Sequence, residues 1–561
     1  MTNEKEEIPP EKDVEYTQMS GDGLQLQPTT TTDSMRYPSM TKRLTIMLSL
    51  YVAMFLVSLV STALTSLWST CIHTVQDRLI VATATPQITD HFHSLGDIGW
   101  YGSAYMLTAS ASQLVYGRLY TFYQAKWVFL ISIAIFEIGS AVCGSAPSST
   151  ALIIGRAVAG LGTGGISSGM IVIIVLTVPL QQRPLFQGFA GAVFGISSVL
   201  GPVLGGVFTT ELTWRWCFYI NLPIGGAAIV AIFFLLDIPP PKNVSMPFKE
   251  QMKQLDPLGN LFLVPSVVCL LLALEWGGST YPWSSWRIIL LFVLFGVLSI
   301  IFVGTQIRGQ EKALVPPRIF KQRSVLAGVM WTMCTSGGMM VMLYYLPVWF
   351  QAIKNVDAEQ SGIMNLPLVL SMVVGSIGSG ILITILGYYN PFMIASAILM
   401  SIGAGLLSTF EPDTAHPKWI GYQVIFGFGL GLGAQQANVA VQTCLTRADV
   451  PIGASLLMFS QQLNGAIWLA VAETLFSNML SSNLSSIKGV DSTHVADVGA
   501  TNLRESVSAS SLPAVLKAYS DAISNTFYLG VAMASLSIFA ALAMEWKSVK
   551  KAKKPKEESK C

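Results

Sequence analysis

The chain has 561 residues, 52% of them hydrophobic and only 11% charged, with a formal net charge of +2. Soluble domains carry roughly a quarter charged residues, and a chain this apolar has too few polar residues to cover one water-facing surface. The composition therefore excludes a single soluble core, gives no sign of nucleic-acid binding, and points to a helical bundle whose outer face meets membrane lipid. The seven cysteines form no CxxC pair, which argues against a disulfide framework or a zinc site.

Residues 1–43 are polar, rich in Glu, Thr and Pro, and read as a disordered cytosolic tail without a signal peptide. Fourteen apolar stretches of span length follow. The first starts at Leu44; spans 2 to 6 are Ile98–Gly117, Val128–Gly144, Ala151–Val178, Phe186–Phe208 and Cys217–Leu236. Spans 7 and 8 are Leu258–Leu274 and Ile288–Val303. The remainder are Val325–Phe350, Gly362–Leu386, Pro391–Leu407, Trp419–Val441, Gly453–Phe476 and Thr526–Met544. This gives residues 44–236 as one group of spans, 237–324 as a middle segment with spans 7 and 8, 325–545 as a second group with an outer loop at 477–525, and 546–561 as a basic tail. Lys and Arg cluster in alternate connections, as at Arg118, Lys126, Arg183, Lys249, Arg318 and Arg447, so that side and both termini are expected to be cytosolic. Asn483-Leu-Ser is a glycosylation sequon in the outer loop, close to the membrane.

The first span contains an anomaly. Joining Leu59 directly to Asp77 would give one helix from Leu44 to Ala82, 22 residues long and about 33 Å at ~1.5 Å per residue. The intervening Val60–Gln76 makes the stretch too long for a single span, and a second span here would invert every later loop. We read residues 60–76 as a translated, unremoved intron: Val-Ser-Thr can be encoded by a splice-donor-like GTA-AGT-ACN and Gln76 by the acceptor-like CAG. The other reading is a genuine outer or re-entrant insertion.

Several strings within the spans carry chemistry. Span 5 holds Gly195-Ile-Ser-Ser-Val-Leu-Gly201-Pro202-Val-Leu-Gly205-Gly206, whose small residues allow close helix approach and whose proline removes a backbone hydrogen bond. Span 4 holds Gly155-Arg156-Ala-Val-Ala-Gly160-Leu-Gly162; a charge inside a span is by default a functional hypothesis, although an Arg near a span end also snorkels to headgroups. The loop after span 2 reads Gly117-Arg118-Leu-Tyr-Thr121-Phe-Tyr-Gln-Ala-Lys126. With Trp214-Arg-Trp-Cys-Phe-Tyr-Ile-Asn-Leu-Pro-Ile-Gly225 and Asp77-Arg-Leu-Ile-Val-Ala-Thr-Ala-Thr-Pro86, these strings resemble the major facilitator superfamily. With fourteen spans, they resemble especially its drug:proton antiporters of the fungal toxin and secondary-metabolite efflux type. The span 5 string is similar to the antiporter motif, Gly155–Gly162 to the RxxxGxG motif implicated in proton transfer, and Gly117, Leu119 and Lys126 to a cytosolic gating loop. That loop departs from the family at Thr121, where the acidic residue is missing.

The resemblance implies an all-α polytopic fold with two six-helix bundles around a central cavity, two inserted central helices, and action as a monomer. Alternating access around a midplane site is how related halves transport. Carboxyls in low dielectric hold protons that aqueous ones release. With residues 60–76 removed, Asp77 falls inside the first span and is the expected coupling acid, with Arg156 as its partner and Glu137 and Glu473 as helpers; with the insert retained, Asp77 reads as a solvated loop charge, and static interhelical hydrogen bonds are the other reading of the two glutamates. Amides and aromatics that would line a cavity for an amphipathic organic solute are Gln113, Tyr344, Tyr345, Gln435, Gln436, Asn438, Gln461, Gln462 and Asn464; each could equally be interhelical glue.

The expected activity is proton-coupled export of a small organic compound across the plasma membrane, a vacuolar or vesicle membrane being the other location. No Walker A string is present, so neither ATP nor any cofactor is expected. The rivals are proton-coupled uptake or vacuolar transport of a siderophore or amino acid, and a non-transporting receptor. A membrane enzyme would need a catalytic cluster that the five His do not supply.

Overall fold

The computed structural model describes residues 38–62, 88, 91–92, 97–238, 251, 255–278, 280–356, 358–485, 487, 507 and 511–550. Asp77, residues 63–76 of the suspected insert and most of both tails lie outside the described residues.

Each apolar stretch in the described part is helical. Six helices make the first bundle: α1 (Met40–Thr62), α2 (Ile98–Phe122), α3 (Ala125–Gly144), α4 (Ser149–Thr177), α5 (Arg183–Glu211) and α6 (Asn221–Leu235). A hairpin follows, α7 (Pro257–Trp276) and α8 (Trp286–Gly309). The second bundle comprises α9 (Arg323–Lys354), α10 (Leu366–Leu386), α11 (Asn390–Leu407), α12 (His416–Cys444), α13 (Val450–Ser485) and α14 (Leu512–Ala543). Ten helices among the described residues are long and apolar enough to cross a bilayer. The other long helices, α1, α2, α5 and α13, are diluted by charged, Gly, Ser, Tyr or amide residues, many of which meet neighbouring helices.

Three boundaries differ from the sequence expectation. The outer loop expected at 477–525 is shorter, because α13 runs to Ser485 and α14 starts at Leu512. Asn483 consequently lies on a helix, its side-chain Nδ2 donating to the Ala518 carbonyl at 3.2 Å, rather than in an open loop. The span expected at Trp419–Val441 is two pieces, His416–Gly433 and Gln436–Cys444, interrupted at Ala434 and Gln435 after a glycine-rich run.

Packing within a bundle rests on small residues, because apolar side chains gain nothing by leaving lipid for one another. In the first bundle α4 is the shared partner of α2 and α3. At Gly160 a Cβ would lie 2.2 Å from the Tyr105 carbonyl oxygen on α2, so any side chain there would push the two helices apart. In the second bundle α12 packs on α10 and α11, and α9 on α13 and α14. The bundles meet along α5 with α10 and along α2 with α13, and α7 lies against both α2 and α13. The most apolar stretch of α8 is only 6% buried, which makes it the peripheral helix, facing lipid.

The end of the molecule where α2 stops and α5, α9 and α13 start carries Arg118, Arg183, Arg318 and Arg323; we call it the basic end. There the segment after α14 lies back on the second bundle. Tyr389 Oη donates to the Glu545 carbonyl at 2.7 Å, Asn390 Nδ2 to the Met544 carbonyl at 3.2 Å, and the Val549 N–H to the Gly387 carbonyl at 2.9 Å. Burial alone would push the Glu545 carboxyl up. Hydrogen bonds from Lys547 (2.6 Å) and Ser324 (2.9 Å) overcome this and hold it below the usual glutamate range. A depressed folded-state value contributes stability above the unfolded value, and that contribution is lost as pH falls through the folded one. Glu545→Ala is therefore expected to lower the thermal unfolding midpoint in detergent by the equivalent of about 1 kcal/mol. The difference from the wild type should be full above about pH 5 and should fade below about pH 4, read by scanning fluorimetry across that range.

Candidate functional site: a cavity between two bundles

A cavity of about 160 Å³ lies between the bundles, with walls from α1, α2, α4 and α5 on one side and α9, α10, α12 and α13 on the other. Gln113, Gln435, Gln461 and Gln462 line it, joined by Gln187, Ser167, Thr335 and Ser376. Met54, Met170, Met339, Met372 and Met458 contribute to its apolar surface, with Phe194, Ile171, Ile174 and Leu430. No charged side chain of the described residues lines it. Thioethers adapt to ligand shape, and amides offer both donors and acceptors. The wall therefore combines apolar surface with neutral hydrogen-bonding groups.

The other five polar and aromatic candidates from the sequence are not in this wall. Gln436 donates to Ser379 Oγ (3.1 Å) and to the Leu432 carbonyl (2.8 Å), holding α12 to α10. Asn438 donates to Gln435 Oε1 at 3.3 Å, and Asn464 to the Ser460 carbonyl of its own helix at 2.8 Å. Tyr344 and Tyr345 meet edge to face, their ring centroids 4.7 Å apart, in the second bundle's apolar core, where Tyr345 also meets Phe476. The helical phase decides these placements, and composition alone does not give it. Gln187, by contrast, went unnoticed in the sequence, although it is an amide inside a span just as Gln113 is.

The charged candidates divide in the same way. Arg156 is fully buried, its Nε donating to the Tyr101 carbonyl at 2.6 Å and its guanidinium 4.3 Å from the Tyr105 ring. It sits between α4 and α2, where it cannot reach headgroups. Tyr101 continues to Ser149 (2.9 Å), which donates to Asp97 at 2.5 Å. Glu137 is 8% exposed on α3, against Gly225 of the α6 helix. Neither of its carboxyl oxygens has a hydrogen-bond partner among the described residues. Glu473 is half-buried on α13 within electrostatic reach of Tyr345. None of the three lines the cavity.

Toward the basic end the cavity closes on a seam of small residues. At Gly188 a Cβ would stand 2.5 Å from the Ser376 carbonyl oxygen, and at Gly380 one would stand 2.6 Å from the Pro184 carbonyl oxygen. Ser376 Oγ donates to the Gly188 carbonyl at 3.0 Å. Gly195, the first glycine of the span 5 string, faces Val373 and Met372 of α10. Gly201 and Gly205 are also buried, and α5 continues as helix through Pro202 and Gly206.

Beside this seam, α2 meets α13 where Gly117 faces Ser455 and the Pro451 carbonyl. Arg118, 4% exposed, donates to the Glu311 carbonyl at 3.0 Å. Arg318 forms paired 3.0 Å bonds to Asp449 and another to Glu311; these hydrogen bonds, Asp449's first, hold its guanidinium firmly charged. Asp256, with positive φ at the start of α7, accepts from the Gly259 and Leu314 N–H groups and from Gln306. The segment after the α7–α8 hairpin thus reaches Arg118 and Asp449 through residues 311–318, a contact that no sequence signal announces. Lys126 instead binds the Phe233 carbonyl of α6 at 2.7 Å, within its own bundle.

Two helical bundles around a cavity, packed against each other through small residues, are the architecture of a multi-pass membrane transporter. The sequence profile of the Major Facilitator Superfamily matches residues 50–469, and the chain belongs to that superfamily. It is 51% identical to the MFS-type transporter VdtG of Byssochlamys spectabilis, over 92% of this chain and 90% of that one. It is 48% identical to the rubrofusarin-specific efflux pump aurT of Gibberella zeae, over 92% of each chain. In fold it is similar to the proton:xylose symporter XylE, with a TM-score of 0.56 and 13% identity over 92% of this chain and 98% of that one.

The seam generates a prediction. Gly188→Ala puts a methyl group against backbone, which must shift; overpacking of this kind costs about 1–3 kcal/mol. With a single reporter cysteine at Thr335, the variant is expected to react roughly tenfold faster with a maleimide supplied from the basic end. Labelling rates in oriented vesicles give the comparison, and an unchanged rate would show that the seam does not gate that entrance.

Proposed function

We propose that this protein is a proton-driven exporter of uncharged, amphipathic organic compounds, acting as a monomer in the plasma membrane with all fourteen long helices spanning it. The observation that carries the cargo class is the cavity wall, in which amides and thioethers occur and no charged side chain of the described residues does. Export as the direction is supported by the similarity to the rubrofusarin-specific pump and by the span 5 glycine–proline string. In this reading the basic end faces the cytosol, in keeping with the placement of Lys and Arg, and the seam there parts to admit cargo. Closure of the seam and opening of the opposite end release the cargo outward. The coupling acid is Asp77, with Arg156 as its partner; Glu137 and Glu473 are the auxiliary carboxyls.

Rubrofusarin serves as the test compound because a close relative is named for it. Yeast expressing the protein are expected to accumulate about a third as much of it as control cells, and a protonophore should restore accumulation; a steady-state change of this size corresponds to well under ~1.4 kcal/mol of driving force. Asp77→Asn should abolish the difference, and Glu137→Gln should reduce it. Export that persists when the proton gradient is collapsed would defeat the coupling part of the proposal, and equal accumulation with and without the protein would defeat the cargo part.

A further inference from the structure

We infer that Gln187 is the polar anchor of the cavity: it takes a hydroxyl or carbonyl group of an uncharged organic cargo and sets the preference for compounds that carry one. The inference rests on the cavity being the cargo site. Gln187 lines the cavity and is yet only 1% exposed. Both its amide nitrogen and its amide oxygen lack a hydrogen-bond partner among the described residues. Two other amides of the wall are already engaged: Gln113 donates to Ser168 at 2.9 Å, and Gln435 accepts from Asn438 at 3.3 Å. A buried primary amide carries two donors and an acceptor, and leaving all of them unmade is costly, so a partner is expected from the cavity side.

The position adds a second argument. Gln187 directly precedes Gly188, whose carbonyl accepts from Ser376 across the seam between α5 and α10. Gly191, one turn further along, faces Ser376 Oγ and approaches Gln435. A hydrogen bond at Gln187 therefore places the cargo at the junction of the two bundles. Met170, Met339 and Met372 provide thioether surface for its apolar part in the same wall. A hydrogen-bonding site discriminates strongly against an analogue that leaves its polar groups unpaired, whereas apolar contact alone discriminates weakly.

The experiment compares binding of rubrofusarin and of its fully O-methylated ether to the purified, detergent-solubilised protein, read by tryptophan quenching. Wild-type protein is expected to prefer the free phenol. Gln187→Met keeps the side-chain volume and removes the amide, and should cut that preference by about tenfold; Gln187→Leu should do the same and Gln187→Asn should fall between. Gel filtration of each variant reports folding, and the affinity ratio for two ligands on one preparation is insensitive to the active fraction. If the wild type binds both compounds and Gln187→Met retains the full preference, the anchor is overturned while the cargo-site reading stands. The anchor is equally overturned if Gln187→Met merely raises thermal stability with no change in the ratio, which marks a water-filled corner. If the wild type binds neither compound, the cargo-site reading fails and the anchor fails with it.

Discussion

The molecule depends on one close contact between its two bundles, backbone against backbone along α5 and α10; under the proposed mechanism it must hold and must also come apart. In water two such helices would be driven together by their apolar surface, but in lipid that force is absent and close van der Waals packing with a few hydrogen bonds remains. Gly188 against the Ser376 carbonyl and Gly380 against the Pro184 carbonyl supply the closeness, and the Ser376–Gly188 hydrogen bond supplies direction. A seam of this kind releases no large buried apolar surface to solvent when it parts. Small residues there serve a reversible closure better than large interlocking side chains would.

The α7–α8 hairpin joins the two bundles beside that seam, with α7 against α2 and α13. α8 shows lipid a nearly unbroken apolar face, whereas the segment that follows it turns back under both bundles. Glu311 receives Arg118 from α2, and Arg318 holds Asp449 beside α13. Asp256 fixes the base of the hairpin by accepting from Gly259, Leu314 and Gln306 at once. Thr121 stands where the loop after α2 lacks an acidic residue, and the carboxylates near this end come instead from Asp256, Glu311 and Asp449. Arg118 moves with the first bundle and Asp449 with the second, so a change of state that separates α2 from α13 has to rearrange this cluster.

How far the sequence could be read follows from what each signal encodes. Apolar runs report burial in lipid or protein, and they placed the ten described helices long and apolar enough to cross a bilayer. They did not mark where α12 breaks or how far α13 extends, because those ends are set by a glycine run and by polar turns that continue the helix. The motif strings located α4 and α5 as contact helices, and the structure assigns each glycine its facing helix. Site residues were harder. An amide in a span announces that something polar meets it and says nothing of which neighbour, so Gln435 and Gln436, adjacent in sequence, point respectively to the cavity and to Ser379. The Arg318–Asp449 pair was illegible for a different reason: its members lie 131 residues apart, and neither belongs to a recognisable string.

The division between the cavity wall and the buried charges bears on how a proton could drive cargo. Arg156 is enclosed between α4 and α2, and Glu137 sits where α3 meets α6; neither touches the wall that cargo would occupy. A proton and an uncharged solute therefore have no shared group among these residues for which to compete directly. Under the proposed mechanism the proton has to act on the packing of the first bundle, and the cargo on the seam between bundles, the two meeting only through the equilibrium between states. A ligand shifts such an equilibrium by no more than its difference in affinity for the two states. Cargo selectivity and proton dependence should then be separable by mutation: changes in the amide and thioether wall alter what is carried, and changes at the buried charges alter what drives it.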